Sequence, residues 1–162
     1  MSAVLMQWSD AFNTGVPDID EQHKKLVALL NTLKQAIVDR RGSQVCTEIL
    51  DELVAYTQVH FRFEEDLMQA SGYSLYDSHK KLHEELLAQV LAYRQKLLSE
   101  SASISFDLLR FLQTWLTKHI SESDKRFGNY FVFTGEDEMR LRKQANASGR
   151  TPAKKGWWRV GA

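Results

Sequence analysis

The chain has five histidines, and all of them belong to one pattern: His23, then His60-x-x-x-Glu64, then His79-x-x-x-His83, then His119-x-x-x-x-Asp124. Each lies in a stretch where apolar residues recur every three or four positions, the mark of one buried face of an α-helix. A histidine used for packing or solubility could sit anywhere. A supply placed wholly inside apolar stripes therefore points these side chains at a shared interior.

Four such stripes are legible. The first begins after Pro17, with Asp18 and Glu21 spaced as a capping box, and runs to Gly42 with Ile19, His23, Leu26, Leu30, Leu33 and Ile37 on one side. The second covers Ser43 to Ala70 and stops at Gly72, with Ile49, Leu53, Tyr56, His60, Phe63, Glu64 and Leu67 on its inner face. The third, Leu75 to Ser99, presents Leu75, His79, Leu82, His83, Leu86, Val90, Tyr93 and Leu97. A Ser-rich turn, Ser99 to Ser105, separates it from the fourth, where Ser105, Leu108, Leu112, Trp115, Leu116 and His119 share a side. Short loops between long helices favour antiparallel neighbours, so an all-α, up-down-up-down four-helix bundle is expected. Residues before Asp18, with Trp8 and Phe12, are expected as an N-terminal arm along its outside.

A length of 162 residues suits one domain with a real core and room for a pocket. The single cysteine, Cys46, excludes an internal disulfide and a cysteine-rich metal site, which leaves nitrogen and oxygen ligands for any metal. Met1 to Asp10 carries no basic residue and no apolar run of signal-peptide length, and no transmembrane segment is visible, so a cytoplasmic protein is expected. The zero net charge conceals a segregation: residues 1–138 hold 14 basic and all 21 acidic residues, whereas 139–162 hold seven basic residues and no acidic one. The expected division is a bundle domain over 1–135 and a flexible basic C-terminal extension over 136–162. With Lys154, Lys155 and Arg159 beside Trp157-Trp158, that tail is either disordered without a partner or a docking segment for a protein partner or membrane surface, with nucleic acid an unlikely partner.

Residues four apart on a helix share a face about 6 Å apart along the axis. His79 and His83 can therefore converge on one metal ion, and Glu64 can bridge two while His60 holds one. Asp124 lies five residues after His119, which on an ideal helix rotates it by about 140°. Both reach one site only if the fourth helix deforms, as in a π-type turn. Five histidines and two carboxylates on inward faces would be costly to bury unpartnered, so the pattern reads as a two-metal centre. Spacing alone does not choose the metal, because such a site also suits zinc, copper or manganese. Met68 and the helix aromatics read as core, Cys46 as a small apolar filler, and Glu65 and Asp66 as a solvated face beside an inward Glu64.

Beyond spacing, the chain resembles the bacterial hemerythrin-like proteins in the stretches Thr14-Gly15-Val16-Pro17-Asp18-Ile19-Asp20-Glu21-Gln22-His23-Lys24, His60-Phe61-Arg62-Phe63-Glu64-Glu65-Asp66-Leu67-Met68, Gly72-Tyr73 through His79 and His83, and Trp115-Leu116-Thr117-Lys118-His119-Ile120 to Asp124. The resemblance covers about Val4 to Tyr130 and lacks no ligand position; it does not extend to the tail. It implies two non-haem iron ions, one held by His79, His83 and His119 and the other by His23 and His60, bridged by Glu64, Asp124 and an oxo or hydroxo group. Three histidines and three bridges fill the first iron, whereas two histidines and the same bridges leave the second one position short. That vacancy is where dioxygen is expected, next to an oxygen pocket of Leu26, Phe61, Trp115, Leu116 and Ile120.

Reversible dioxygen binding, as in a carrier, store or delivery protein, is the expected function, with no catalytic residue assigned. Ferritin-like di-iron oxidases use a carboxylate-rich ligand set, whereas five neutral imidazoles with two carboxylates favour binding over turnover. Two alternatives stand beside it. One is an oxygen or iron sensor module acting through the tail. The other is a di-iron enzyme reducing peroxide or nitric oxide, for which Tyr56, one turn before His60, is the candidate inward group.

Overall fold

The computed structural model describes residues 4–99 and 102–135, with side chains described for all but 102–104. The basic extension 136–162, with its Trp157-Trp158 pair, lies outside the described residues. Four helices follow one another: α1 (Pro17–Val38), α2 (Ser43–Ala70), α3 (Tyr76–Leu98) and α4 (Ala102–Lys118). A π segment, His119–Asp124, continues α4, and residues 125–135 return to α-helix beyond it. Connections of three to five residues join the helices, and α1 packs on α2, α2 on α3, α3 on α4 and α4 on α1. The expected four-helix bundle is the observed fold.

The ends of the helices explain themselves locally. At the end of α2 the Tyr73 N–H donates to the Met68 carbonyl and the Gly72 N–H to that of Gln69, with Gly72 left-handed at φ 68°. This is the Schellman arrangement, for which glycine pays no Cβ penalty. The end of α1 is built in the same way on Arg40, at φ 54°, so α1 stops at Val38 rather than running to Gly42. The expected capping box does not form: Pro17 already occupies the first helical turn, which puts Asp18 inside the helix, and Glu21 is exposed and pairs with Lys24. Asp20 does the work instead, its Oδ1 accepting the Thr14 backbone N–H (2.7 Å) and hydroxyl (2.8 Å).

The core has two apolar parts. The larger gathers Leu26, Leu30, Leu33, Leu50, Leu53, Leu86, Val90, Leu108, Leu112, Leu116 and Ile120 with others, and the smaller joins Val16, Ile19, Leu67, Met68, Tyr73 and Phe127. Along α1, His23 falls between Ile19 of the smaller part and Leu26 of the larger. Asp124 likewise falls between Ile120 and Phe127, so the histidines form a polar layer between two apolar ones. Two expected stripe members are exposed. Leu75 immediately precedes the first turn of α3, and Leu82, about 100° around the helix from His83, lines an outer groove against α4.

The arm packs as expected. Trp8 and Phe12 are half-buried against the larger core, while Asn31 Oδ1 accepts the Leu5 and Met6 N–H groups and Gln113 Nε2 donates to the Leu5 carbonyl. At the other end Gly128 lets helix 125–135 approach the Thr14 turn so closely that an added Cβ would lie 2.2 Å from the Thr14 carbonyl oxygen. Gly128→Ala is therefore expected to destabilise the protein by about 1–3 kcal/mol through overpacking, read as a lower denaturation midpoint; an unchanged midpoint would contradict this contact.

Candidate metal centre

Three helices contribute to the polar layer directly: α1 gives His23, α2 gives His60 and Glu64, and α3 gives His79 and His83. The π segment opens on His119 and closes on Asp124. Its i→i+5 hydrogen bonding brings residues five apart onto one face, which is the deformation the sequence requires. All seven side chains are buried, the most accessible being His119 at 5%.

The donor atoms sort into two groups that share both carboxylates. His23, His60, Glu64 and Asp124 offer atoms within 4.8 Å of one another, and so do Glu64, His79, His83, His119 and Asp124. Glu64 turns Oε1 toward His60 Nε2 (3.0 Å) and His23 Nε2 (3.4 Å), and Oε2 toward His83 Nε2 (3.4 Å) and His79 Nε2 (3.5 Å). Asp124 divides in the same sense, with Oδ2 on His23 Nε2 (2.9 Å) and Oδ1 on His119 Nε2 (3.0 Å) and His79 Nε2 (3.1 Å). Ligands about 2.1 Å from an ion and at right angles to each other are about 3.0 Å apart, which is the separation seen between these donors.

The cluster fits a cation better than it fits its own hydrogen bonding. Both ring nitrogens of His23, both oxygens of Glu64 and of Asp124, and Nε2 of His79 are buried without a hydrogen-bond partner, where native interiors leave few such atoms. His83 Nε2 and His119 Nε2 face each other at 3.1 Å. Burial opposes protonation of His23, but Asp124 and Glu64 outweigh it and push the imidazole up to about 10. His79, under the same opposition and the same two carboxylates, rises to about 9. Burial would raise the acids, yet the surrounding histidines hold Glu64 and Asp124 well below the usual carboxylate range. Without a metal, protons must supply the positive charge that two buried carboxylates demand.

Around the cluster, one ring stacks on each of two histidines: Phe61 on His83 (3.6 Å, 2° between planes) and Trp115 on His119 (4.3 Å, 13°). A cavity of about 40 Å³ adjoins His23, His60, His119 and Asp124 and is otherwise apolar, apart from Thr57. That volume exceeds the 10–15 Å³ or so that one water needs. Leu26, Phe61, Trp115 and Leu116 line it, together with Leu30, Leu53, Leu86, Val90 and Leu112 from deeper in the bundle. Ile120 is fully buried in the larger core but does not line the cavity, and neither does the half-buried Tyr56, whose ring Lys25 covers at 4.4 Å. Sequence reasoning missed two polar supports. The His60 Nδ1–H donates to Gln22 Oε1 (2.6 Å) and the His83 Nδ1–H to Glu65 Oε1 (2.9 Å), so Glu65 is not merely a solvated neighbour of Glu64.

Residues 14–130 match the family model of the hemerythrin HHE cation binding domain. A bacteriohemerythrin of Stenotrophomonas maltophilia is 36% identical over 77% of this chain and 80% of its own length. That of Methylococcus capsulatus is 34% identical over 76% and 95%. A solved wild-type hemerythrin superimposes with a TM-score of 0.69 at 31% identity, covering 77% of this chain and 96% of its own. The chain belongs to the hemerythrin family. Hemerythrins are dioxygen-binding proteins with a non-haem di-iron centre rather than enzymes, and among the described residues no helix is long and apolar enough to cross a membrane.

The charge balance sets a pH behaviour. With folded-state values above 6.5, His23 and His79 contribute stability to the metal-free chain that is complete below pH 6.5 and lost as pH rises through about 9 to 10. Metal loading at pH 7 must displace these protons, and release of two or more per chain is expected, the excess coming from any water that becomes a bridging hydroxo or oxo group, measured by titration in weak buffer. Loading without proton release would contradict this account.

Proposed function

We propose that the chain binds dioxygen reversibly at two non-haem irons held by this layer. His79, His83 and His119 would hold one iron, His23 and His60 the other, and Glu64 and Asp124 would bridge them together with an oxo or hydroxo group. The observation that carries the reading is the division of each carboxylate, one oxygen toward the two-histidine group and one toward the three-histidine group. When bound, the iron pair supplies the electrons on which reversible dioxygen uptake depends.

The chain's own residues supply the rest. The two-histidine group is one donor short of the other, and both its histidines, His23 and His60, line the cavity, with His119 and the shared Asp124 beside them. Leu26, Phe61, Trp115 and Leu116 wall that space with apolar surface, which disfavours water and the protons that would turn reversible binding into net oxidation. No reactive side chain beyond the cluster lines the cavity among the described residues. Thr57, its one other polar group, spends its hydroxyl on the Leu53 carbonyl (2.7 Å). This favours binding over turnover.

The unit responsible is residues 1–135, with the basic extension as a separable segment for a protein partner. Anaerobic loading with ferrous iron followed by oxygen is expected to give a visible charge-transfer band that disappears when oxygen is removed. Irreversible oxidation that consumes added reductant would favour an enzyme. A chain ending at Gly135 should behave identically in this assay. His83→Ala is expected to abolish stable two-iron loading, measured as metal per folded chain; retention of both irons would refute the ligand assignment.

A further inference from the structure

We propose that Glu65 and Gln22 are positioning residues of unequal strength, and that Glu65 makes His83 a more electron-rich donor than His60. The inference rests on the metal reading above. Each residue sits next in sequence to a cluster member and reaches sideways to the following helix: Gln22, beside His23 on α1, holds His60 of α2, and Glu65, beside Glu64 on α2, holds His83 of α3. One residue along a helix is a rotation of about 100°, so as one side chain points inward its neighbour points at the adjoining helix. The polar layer thereby carries its own lateral supports.

The two supports differ in chemistry. A carboxylate offers a ring N–H only acceptors, so Glu65 Oε1 at 2.9 Å requires the proton on His83 Nδ1 and leaves the Nε2 lone pair facing the cluster. Glu65 reaches there with 19% of its side chain exposed, shielded enough for its charge to be felt. Phe61, one turn before Glu65 on α2, lies flat on the same ring, so a single turn fixes both the face and the edge of His83. Gln22 also accepts from His60, at 2.6 Å, but brings no charge, and an amide has both a donor and an acceptor end. An anionic partner increases the basicity of a ligating imidazole. Glu65 thus favours the more highly charged ion in the three-histidine group, while among the described residues the two-histidine group beside the cavity has a neutral support in Gln22.

The test uses the full chain as wild type, Glu65→Gln, Glu65→Ala and Gln22→Glu. It reads zinc affinity by chelator competition, the midpoint potential of the iron-loaded protein, and the melting temperature of the metal-free protein. Glu65→Gln is expected to weaken zinc binding at one of two sites by about 10–100-fold. It should also raise the midpoint potential by about 59 mV for each tenfold loss of preference for the oxidised ion. Glu65→Ala should do at least as much, and Gln22→Glu should shift the potential the opposite way. Lower melting temperatures with unmoved potentials and zinc affinities would make both residues merely structural and overturn the proposal. A wild-type chain that holds fewer than two metal ions would overturn the metal reading itself, so the two failures are distinguishable.

Discussion

The structure depends on keeping a buried polar layer in an apolar bundle. Two carboxylates and five imidazoles lie between two hydrophobic cores, and none is more than 5% exposed. An unpaired buried charge costs several kcal/mol, so this layer is tolerable only with positive charge at its centre. Protons on His23 and His79 can provide it, but they leave buried oxygens and nitrogens without good partners. Two divalent cations would take up the carboxylate oxygens and the inward Nε2 atoms together. Stability and function are then set by one requirement.

Much of the backbone is arranged to keep that layer in register. The π segment, an uncommon distortion, aligns His119 with Asp124. Asp20 ties the Thr14 turn to the start of α1, three residues before His23, and Gly128 admits the helix beyond Asp124 against the same turn. The layer is thus held from both sides at its α1 and π-segment edges. On α2 and α3, where His60, Glu64, His79 and His83 sit on regular helix, spacing alone is enough. The remaining freedom, ring rotation, is limited by Phe61, Trp115, Gln22 and Glu65.

The helices and the cluster were legible in the sequence because both follow from helical period: His79 and His83 are four apart, and the five-residue step to Asp124 called for the distortion that is found. Less was legible where the outcome depends on tertiary neighbours. Asp18 and Glu21 have the spacing of a capping box, but Pro17 advances the helix start and Asp20 takes the turn. Leu82 has an apolar side chain at a plausible stripe position, yet it faces the outer groove because His79 and His83 fix the orientation of α3. Glu65 in an acidic run gives no sign that it reaches His83, since that depends on how α2 packs against α3. Nor does sequence separate Leu116, which lines the cavity, from Ile120, which is buried behind it.

The central claim is that seven side chains divide two metal ions unequally, and its most direct measurement is anomalous X-ray diffraction at the iron edge on crystals of the iron-loaded chain. The account predicts two peaks per chain, one beside His79, His83 and His119, one beside His23 and His60, and both flanked by Glu64 and Asp124. A single peak, or two peaks not flanked by both carboxylates, would contradict it.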